Sequence, residues 1–438
     1  MKSHPPSEML RRFVRGEADV EDARTVLPHV LAGCAVCRSA LQAALLPPQL
    51  REYGPGIRRA IKKVATRLRR QKQRSEGAVG ALQMAVGQEI AERVRGLAGP
   101  ALVQAMLEES NFLLADDPLL ASRVAQVACL AAASMSEELY GRALVHDWEA
   151  LARAEYGNAL RAADKLAAAR IAFAEAMLVL PHGTGDKAIE ARVYALLASF
   201  YGTQRHFVQA EGASDHAIGL YLRLGDLHAA GRELLTKATY LHYAGRTEEA
   251  LAENERGLGF VEPAREPRLE ALGRFNALHH LVTLGRFKEG EVALFKARPV
   301  LLTVFGRLDL VKLRWLEARI DAGLGRFGRA EDMLKEVRAD LLGLEMDFAA
   351  ALATLDLAHV LVEQEQWERA QEQAQDAEAM FQALGIGREM LAAVLVFVRS
   401  LEQRGQEGFG ALFIRFTAQK AIAFIRRAEN DPNARFGS

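Results

Sequence analysis

A pattern that recurs about every forty residues constrains the fold of this 438-residue chain more than any other feature. Its clearest copy is "EARIDAGLGRFGRAEDMLKEV", Glu317 to Val337, in which a small residue precedes a Gly-Arg-Phe turn and a second small residue follows it. The second small residue recurs at Ala169, Ala210, Ala250, Gly290, Ala330 and Ala370, at one interval of 41 residues and four of 40. A fixed period of this length indicates a repeat protein, whose units bury their apolar faces against their neighbours.

Each repeat is predicted to be a pair of antiparallel helices. Apolar residues at helical spacing flank a turn that contains glycine in several copies, and a glycine there can take the left-handed conformation that ends a helix. Upstream of the turn is a small residue at the point where two helices cross: Gly157, Ala198, Ala238, Ala318 or Ala358, with Leu278 in the fourth copy. Proline is scarce, with 13 residues, and strand-like alternation is absent, so we predict an all-α fold.

The segment "YGNALRAADKLAAARIAFAEAMLVLP", Tyr156 to Pro181, resembles the tetratricopeptide family in its order of small residue, turn, Ala, Phe, Ala and Pro. The period of about 40 residues departs from that family's 34, which implies longer helices or connections. The resemblance covers roughly residues 140–385 and implies a solenoid of helical hairpins with a groove for a protein or peptide partner. We assign 96–427 to this solenoid, with a degenerate first unit and a C-terminal cap, and 428–438 to a disordered tail.

Near the N-terminus, "PHVLAGCAVCRSAL" contains two of the chain's three cysteines. Cys34 and Cys37 lie on one helical turn and His29 precedes them by five residues, so one zinc ion could be bound by all three. The expected fourth ligand is His4, and the oxygen alternatives are Asp19, Glu21 and Asp22. Four protein ligands would make this a closed, structural Zn²⁺ site. The alternatives are a redox pair and two unrelated helix cysteines.

The same region resembles the zinc-binding domain at the front of many anti-sigma factors. The match runs over about residues 4–45, although the gap between His29 and Cys34 is one residue longer than is usual in that family. It implies a zinc-binding helical module at 1–50 and a regulatory task such as sequestering a transcription factor.

A basic stretch follows this module, within a predicted linker at 51–95. "IRRAIKKVATRLRRQKQR", Ile57 to Arg74, contains nine lysines and arginines and no acid, with apolar residues at helical spacing. The segment from Arg58 to Arg74 could bind nucleic acid through phosphate contacts. A solvated amphipathic helix is the favoured interpretation, since the formal net charge of the chain is zero and no base-reading motif accompanies the segment.

A column of polar residues is the strongest candidate for partner binding. The residue after each crossing position is Asn158, Ser199, Thr239, His279, Arg319 or His359, and basic residues recur six positions before it at Arg192, Arg232 and Lys312. In tetratricopeptide proteins this register faces the groove, which predicts a mildly basic trough for an acidic peptide or a chain terminus. The alternative is a solvated helix face. His279 and His280 are not expected to share a ligand, because adjacent residues on a helix diverge in direction.

No catalytic motif is recognisable, since Walker A, Gly-x-Ser-x-Gly, HExxH and Rossmann patterns are all missing from the sequence. Three cysteines and the lack of a long apolar run or signal-like N-terminus indicate a cytoplasmic protein without a membrane span. We therefore expect a non-enzymatic, regulatory protein–protein interaction scaffold. The alternative is a nucleic-acid-binding or anti-sigma-like transcription regulator that uses the zinc module and residues 57–74.

Overall fold

The structure is a computed structural model that describes residues 98–384 and 411–430, together with residues 4–6, 8, 9, 12, 394, 397 and 401. Within this part of the chain all regular structure is helical. The chain divides into two compact units, Met1–Gly225 and Asp226–Ser438, which we call unit 1 and unit 2. In the described residues, no helix combines the length and apolar character that a membrane span requires.

Successive helices of each unit pair as hairpins. Unit 1 contains α1 (Pro100–Leu113), α2 (Pro118–Ala133), α3 (Glu137–Tyr140), α4 (Arg142–Ala162), α5 (Leu166–Val179), a 3₁₀ turn (Leu180–His182), α6 (Lys187–Thr203) and α7 (Phe207–Leu224). Unit 2 contains α8 (Leu227–Tyr243), α9 (Thr247–Leu258), α10 (Pro267–Thr283), α11 (Phe287–Val304), α12 (Arg307–Gly323), α13 (Phe327–Gly343), α14 (Asp347–Glu363), α15 (Trp367–Ala383) and α16 (Ala411–Asn430). The prediction of an all-α chain of helical hairpins is confirmed.

The hairpin turns explain the forty-residue period. Each first helix ends in a left-handed residue, and these residues are Asp164, Arg205, Gly245, Gly285, Gly325 and Glu365, with φ between 57° and 82°. The next amide closes the turn by donating back to the helix, as from Arg246 N to Leu241 O and from Arg326 N to Asp321 O, both at 2.9 Å. These six-residue loops satisfy carbonyls that a helix end leaves without partners. The second helix then begins one residue later.

Close crossing of the paired helices depends on small residues, as the sequence predicted. A Cβ added at the crossing residue Gly157 would lie 2.9 Å from Phe173 of the paired helix. Neighbouring hairpins also approach closely: a Cβ added at Gly323, at the end of α12, would lie 2.3 Å from the ring of Phe287 in α11. The alanines at the other crossing positions are completely buried, and Leu278, which departs from the pattern, is also completely buried. Apolar packing between neighbouring helices therefore forms a series of core clusters along the hairpins of each unit.

The helix α16 covers the last hairpin of unit 2. Its apolar side chains, including Ile414, Ile422 and Ile425, are buried, and they belong to the same core as residues of α14 and α15. This helix contacts α14 directly. The assignment of this part of the chain as a C-terminal cap stays a prediction.

Candidate functional site

A cavity of about 1510 Å³ in unit 2 is the candidate functional site. The first helices of the hairpins, α8, α10, α12 and α14, line it together with α16. They contribute the polar column of the repeats at Thr239, His279, Arg319 and His359, and α12 adds Lys312. Equivalent positions of consecutive hairpins thus meet at one concave surface. Their role in partner binding stays a prediction.

The other four residues of the predicted trough do not line this cavity. In unit 1, Asn158 is buried and accepts hydrogen bonds from Arg161, while Ser199 Oγ donates to Ala195 O at 3.3 Å. Arg192 Nε donates to Glu155 Oε1 at 2.7 Å. In unit 2, Arg232 forms an ion pair with Glu266. These polar side chains take part in contacts inside their own unit.

The charges that line the cavity are mainly positive. The cationic side chains are Lys312, Arg319, Lys420 and Arg426, and the carboxylates are those of Asp356 and Glu363. Both carboxylates are paired, Asp356 with Arg426 and Glu363 with Arg415 at 3.3 Å. An anionic ligand would therefore meet an excess of positive charge.

Arg319 is the cation in this cavity whose surroundings are least favourable to its charge. Among the described residues it has no hydrogen bond or ion pair with a protein group. Burial, with a smaller contribution from the nearby Arg426 and against the attraction of Asp356, lowers the pKa of Arg319 to about 9. A half-buried guanidinium without a protein partner is a site of unused hydrogen-bonding capacity.

A three-residue contact fixes α16 in the cavity wall. Trp315 Nε1 donates to Asp356 Oδ2 at 2.7 Å, and the Arg426 guanidinium donates to the same oxygen. The Arg426 guanidinium also lies over the Trp315 ring, 5.9 Å from its centroid. Sequence reasoning missed this contact, because Arg426 and Asp356 are 70 residues apart and belong to no shared motif.

Three histidines meet on the same wall. The ring nitrogens of His242, His279 and His280 that could bind a metal all lie within 4.8 Å of one another. The divergence expected for the adjacent His279 and His280 therefore does not keep their ring nitrogens far apart. Although adjacent side chains leave a helix in different directions, His242 of the neighbouring α8 lies between them, with its ring centroid 4.9 Å from each of theirs.

Burial also determines the protonation of these histidines. It lowers the pKa of His242, lowers that of His279 well below its usual range and lowers that of His280 to about 3. The charge of Arg319 lowers the pKa of His242 and His279 further. All three rings are neutral near pH 7, so each has one nitrogen lone pair available.

The predicted zinc ligands His29, Cys34 and Cys37 lie outside the described residues, as does the basic segment from Arg58 to Arg74. His4 is described and is exposed. The zinc module and the nucleic-acid alternative accordingly stay predictions.

Comparison with known proteins identifies the fold class. No protein-family model and no curated protein matches the chain. Among solved structures, a Rap protein complexed with Competence and Sporulation Factor aligns with a TM-score of 0.52 at 15% identity, over 75% of this chain and 91% of that one. A STAND-family protein with a tetratricopeptide repeat sensor, PH0952 from Pyrococcus horikoshii, aligns with a TM-score of 0.54 at 14% identity, over 97% of this chain and 63% of that one.

A third solved structure, aspartyl phosphate phosphatase F from Bacillus subtilis, aligns with a TM-score of 0.43 at 14% identity, over 82% of this chain and 94% of that one. At these identities the likeness to the first two structures concerns the fold alone. The chain has a tetratricopeptide-like fold of helical hairpins, as the sequence predicted.

Proposed function

We propose that this chain is a non-enzymatic interaction protein that binds a peptide segment of a protein partner in the cavity of unit 2. The observation that carries the proposal is Arg319, a cation without a protein partner among the described residues on a concave surface built from equivalent positions of four hairpins. A carboxylate of the bound segment, at a side chain or at the chain terminus, is the group that Arg319 would hold.

The size of the cavity favours a peptide over a small metabolite. Its volume of about 1510 Å³ exceeds the roughly 300–1,000 Å³ of typical small-molecule sites. Its wall contains Phe275 and Trp315, which supply apolar contact area, and the hydrogen-bonding side chains of Asn276 and Thr239. Apolar area with a few polar anchors suits an extended or helical peptide.

Electrostatics favour an acidic group on that peptide. A carboxylate can accept two parallel hydrogen bonds from one guanidinium, which a lysine could not offer in the same geometry. Pairing would also compensate the charge of the half-buried Arg319, which has no protein partner among the described residues. Lys312 on the same helix adds a second cation at the cavity.

The comparisons support the proposal through the fold. The Rap protein of similar fold was solved with Competence and Sporulation Factor bound, and the PH0952 repeats are described as a sensor. We also propose a regulatory task for the chain, which the resemblance of residues 4–45 to anti-sigma factors implies. The structural zinc module at 1–50, with ligands His4, His29, Cys34 and Cys37, belongs to that same proposal.

Selection of peptides by the full-length chain tests this function. Random-sequence peptides are selected for binding to the wild-type chain, and each is then synthesised in two versions. The acidic version keeps all its carboxylates. The amidated version has its acidic side chains changed to amides and its C-terminus amidated. Fluorescence polarisation then measures the affinity for wild type, Arg319→Gln and Arg307→Gln. Arg307 is exposed on the same helix α12 but lies outside the cavity, so it is the matched control.

The expected result is that Arg319→Gln weakens binding of the acidic peptide by about 10- to 100-fold, the value of a charge-assisted hydrogen bond. Arg307→Gln should bind within about twofold of wild type. Selected peptides that bind Arg319→Gln as tightly as wild type, or whose amidated forms bind equally well, would contradict the proposal.

A further inference from the structure

We propose that His242, His279 and His280 form a binding site for one divalent transition-metal ion, open on one side to the cavity of unit 2. The three side chains come from two helices, α8 and α10, so the site is made by the packing of consecutive hairpins. It is independent of the predicted zinc module at the N-terminus and of the proposed peptide binding.

The geometry is close to that of a three-imidazole site. The candidate nitrogens lie within 4.8 Å of one another. Two imidazole nitrogens on one tetrahedral Zn²⁺, each about 2.1 Å from the metal, lie about 3.4 Å apart. Side-chain rotations that move each ring by about an ångström therefore suffice to close the site. Imidazole is a suitable ligand for Zn, Cu, Fe and Ni.

The hydrogen bonds of these rings leave nitrogens available for a metal. Neither ring nitrogen of the buried His280 has a hydrogen-bond partner among the described residues. His242 Nδ1 lies 3.4 Å from Thr247 Oγ1, so a proton on Nδ1 can be donated to that hydroxyl, which leaves the lone pair of Nε2 available. Such a hydrogen bond from the far nitrogen fixes the tautomer of metal-binding histidines.

The protonation state favours metal binding as well. The lowered pKa values of the three imidazoles mean that a metal does not have to displace a proton from any of them near pH 7. The unpaired buried nitrogens of His280 are unfavourable, and coordination of a metal ion would give one of them a partner.

The surroundings of the site determine its fourth ligand. His242, His279 and His280 all line the cavity, as does Arg319, which is close enough to lower the pKa of two of them. A dication on three neutral imidazoles beside a guanidinium is best compensated by an anionic ligand. The fourth position is therefore suited to hydroxide or a carboxylate rather than to a neutral donor.

Cobalt titration of the full-length chain tests the site. The background protein for all measurements is the variant with Cys34→Ser and Cys37→Ser, which lacks the thiol ligands of the predicted zinc module. Visible absorbance measures the binding of Co²⁺, and calorimetry measures the binding of Zn²⁺. Both are repeated on two further variants, in which either His242→Asn or His279→Asn is introduced into the background protein. The matched control is His216→Asn, since His216 lies in unit 1, outside the cavity, and is paired with Glu190.

The background should bind about one metal ion per chain through nitrogen ligands, and the metal should raise its melting temperature. Each ligand substitution should weaken binding by more than about 100-fold and abolish the thermal shift, while the control should behave as the background does. Failure of the background to bind Co²⁺ or Zn²⁺, or unchanged binding by both His242→Asn and His279→Asn, would overturn the proposal. His242 is only half-buried, so its replacement leaves the core of unit 2 intact.

Discussion

His279 and Arg319 lie forty residues apart in the chain, directly after the crossing residues of consecutive hairpins, and both line the same cavity. Because each hairpin repeats the same turn and crossing contact, a side chain at one register returns to the same concave surface in the next hairpin. An extended ligand could therefore contact several repeats at once. This relationship connects the period of the sequence to the chemistry of the cavity.

Glycine substitutions test the close contacts between helices. Gly323→Ala should lower the free energy of unfolding by about 2 kcal/mol, because its Cβ would lie 2.3 Å from the Phe287 ring. Gly290→Ala is the matched control inside α11. Its Cβ would meet Ile320 at an ordinary 3.5 Å, so we expect a gain of about 0.5–1 kcal/mol from the lower entropy of the unfolded chain. Denaturant unfolding measures both, and a stabilising Gly323→Ala would contradict the described packing.

The contact that fixes α16 gives a second prediction. Asp356→Asn should lower the free energy of unfolding by about 2 kcal/mol, because the Arg426 guanidinium would lose its carboxylate partner in a largely buried setting. The tryptophan emission should also change, since Trp315 donates to Asp356. The comparison variant Asp332→Asn changes a strongly exposed carboxylate 3.8 Å from Lys335, and it should cost less than about 0.5 kcal/mol. Equal melting temperatures for the two variants would rule out this anchoring contact.

Acid sensitivity should depend on Glu331. Although burial raises the pKa of its carboxyl, hydrogen bonds from Lys335, Arg369 and Gln364 outweigh that effect and hold the pKa at about 2, below its ordinary value of 4.5. A depressed pKa stabilises the folded state fully above about pH 4.5, and this stabilisation is lost as the pH falls towards 2. Glu331→Gln should therefore lower the free energy of unfolding by about 2 kcal/mol at pH 7, and by progressively less below pH 4.5.

Urea unfolding at several pH values between 7 and 2 measures this difference. The exposed Glu336 supplies the control, and Glu336→Gln should leave the pH profile of the wild type unchanged. If the difference between Glu331→Gln and wild type stayed constant down to pH 2, the assignment of the low pKa to Glu331 would be wrong.

The predicted zinc module can be tested through its thiolates. Cobalt bound by Cys34 and Cys37 should give an intense thiolate-to-metal charge-transfer band that Cys34→Ser abolishes. Cys129→Ser is the control, because burial raises the pKa of Cys129 to about 12 and keeps it a thiol. A band that survives Cys34→Ser, or no band in the wild type, would remove zinc from this part of the chain.

Much of the fold could be predicted because it depends on local rules. The six left-handed residues, the small residues at the crossings and the polar column at Thr239, His279, Arg319 and His359 all follow from one repeated pattern. Three non-glycine residues, Asp164, Arg205 and Glu365, take the left-handed conformation at turns that glycine occupies elsewhere. The repeat positions identified these turns where the residue type alone would not have done so.

The features that sequence reasoning missed depend on contacts between residues that occupy different positions within their repeats. His242 lies three positions after Thr239 of the column, whereas His279 is in the column and His280 directly follows it, so no single register contains all three histidines. A search for histidines one repeat apart, within a few positions, would have found them. The pairing of Arg426 with Asp356 had no such signal, because α16 lies outside the repeat pattern.

A crystal structure of the full-length chain with a peptide selected by it tests the central claim most directly. The account predicts peptide density in the cavity of unit 2, against α8, α10, α12 and α14, with a carboxylate of the peptide hydrogen-bonded to Arg319. Density on another surface, such as the exposed apolar side chains Val292 and Phe295 of α11, with no contact to Arg319, would contradict it.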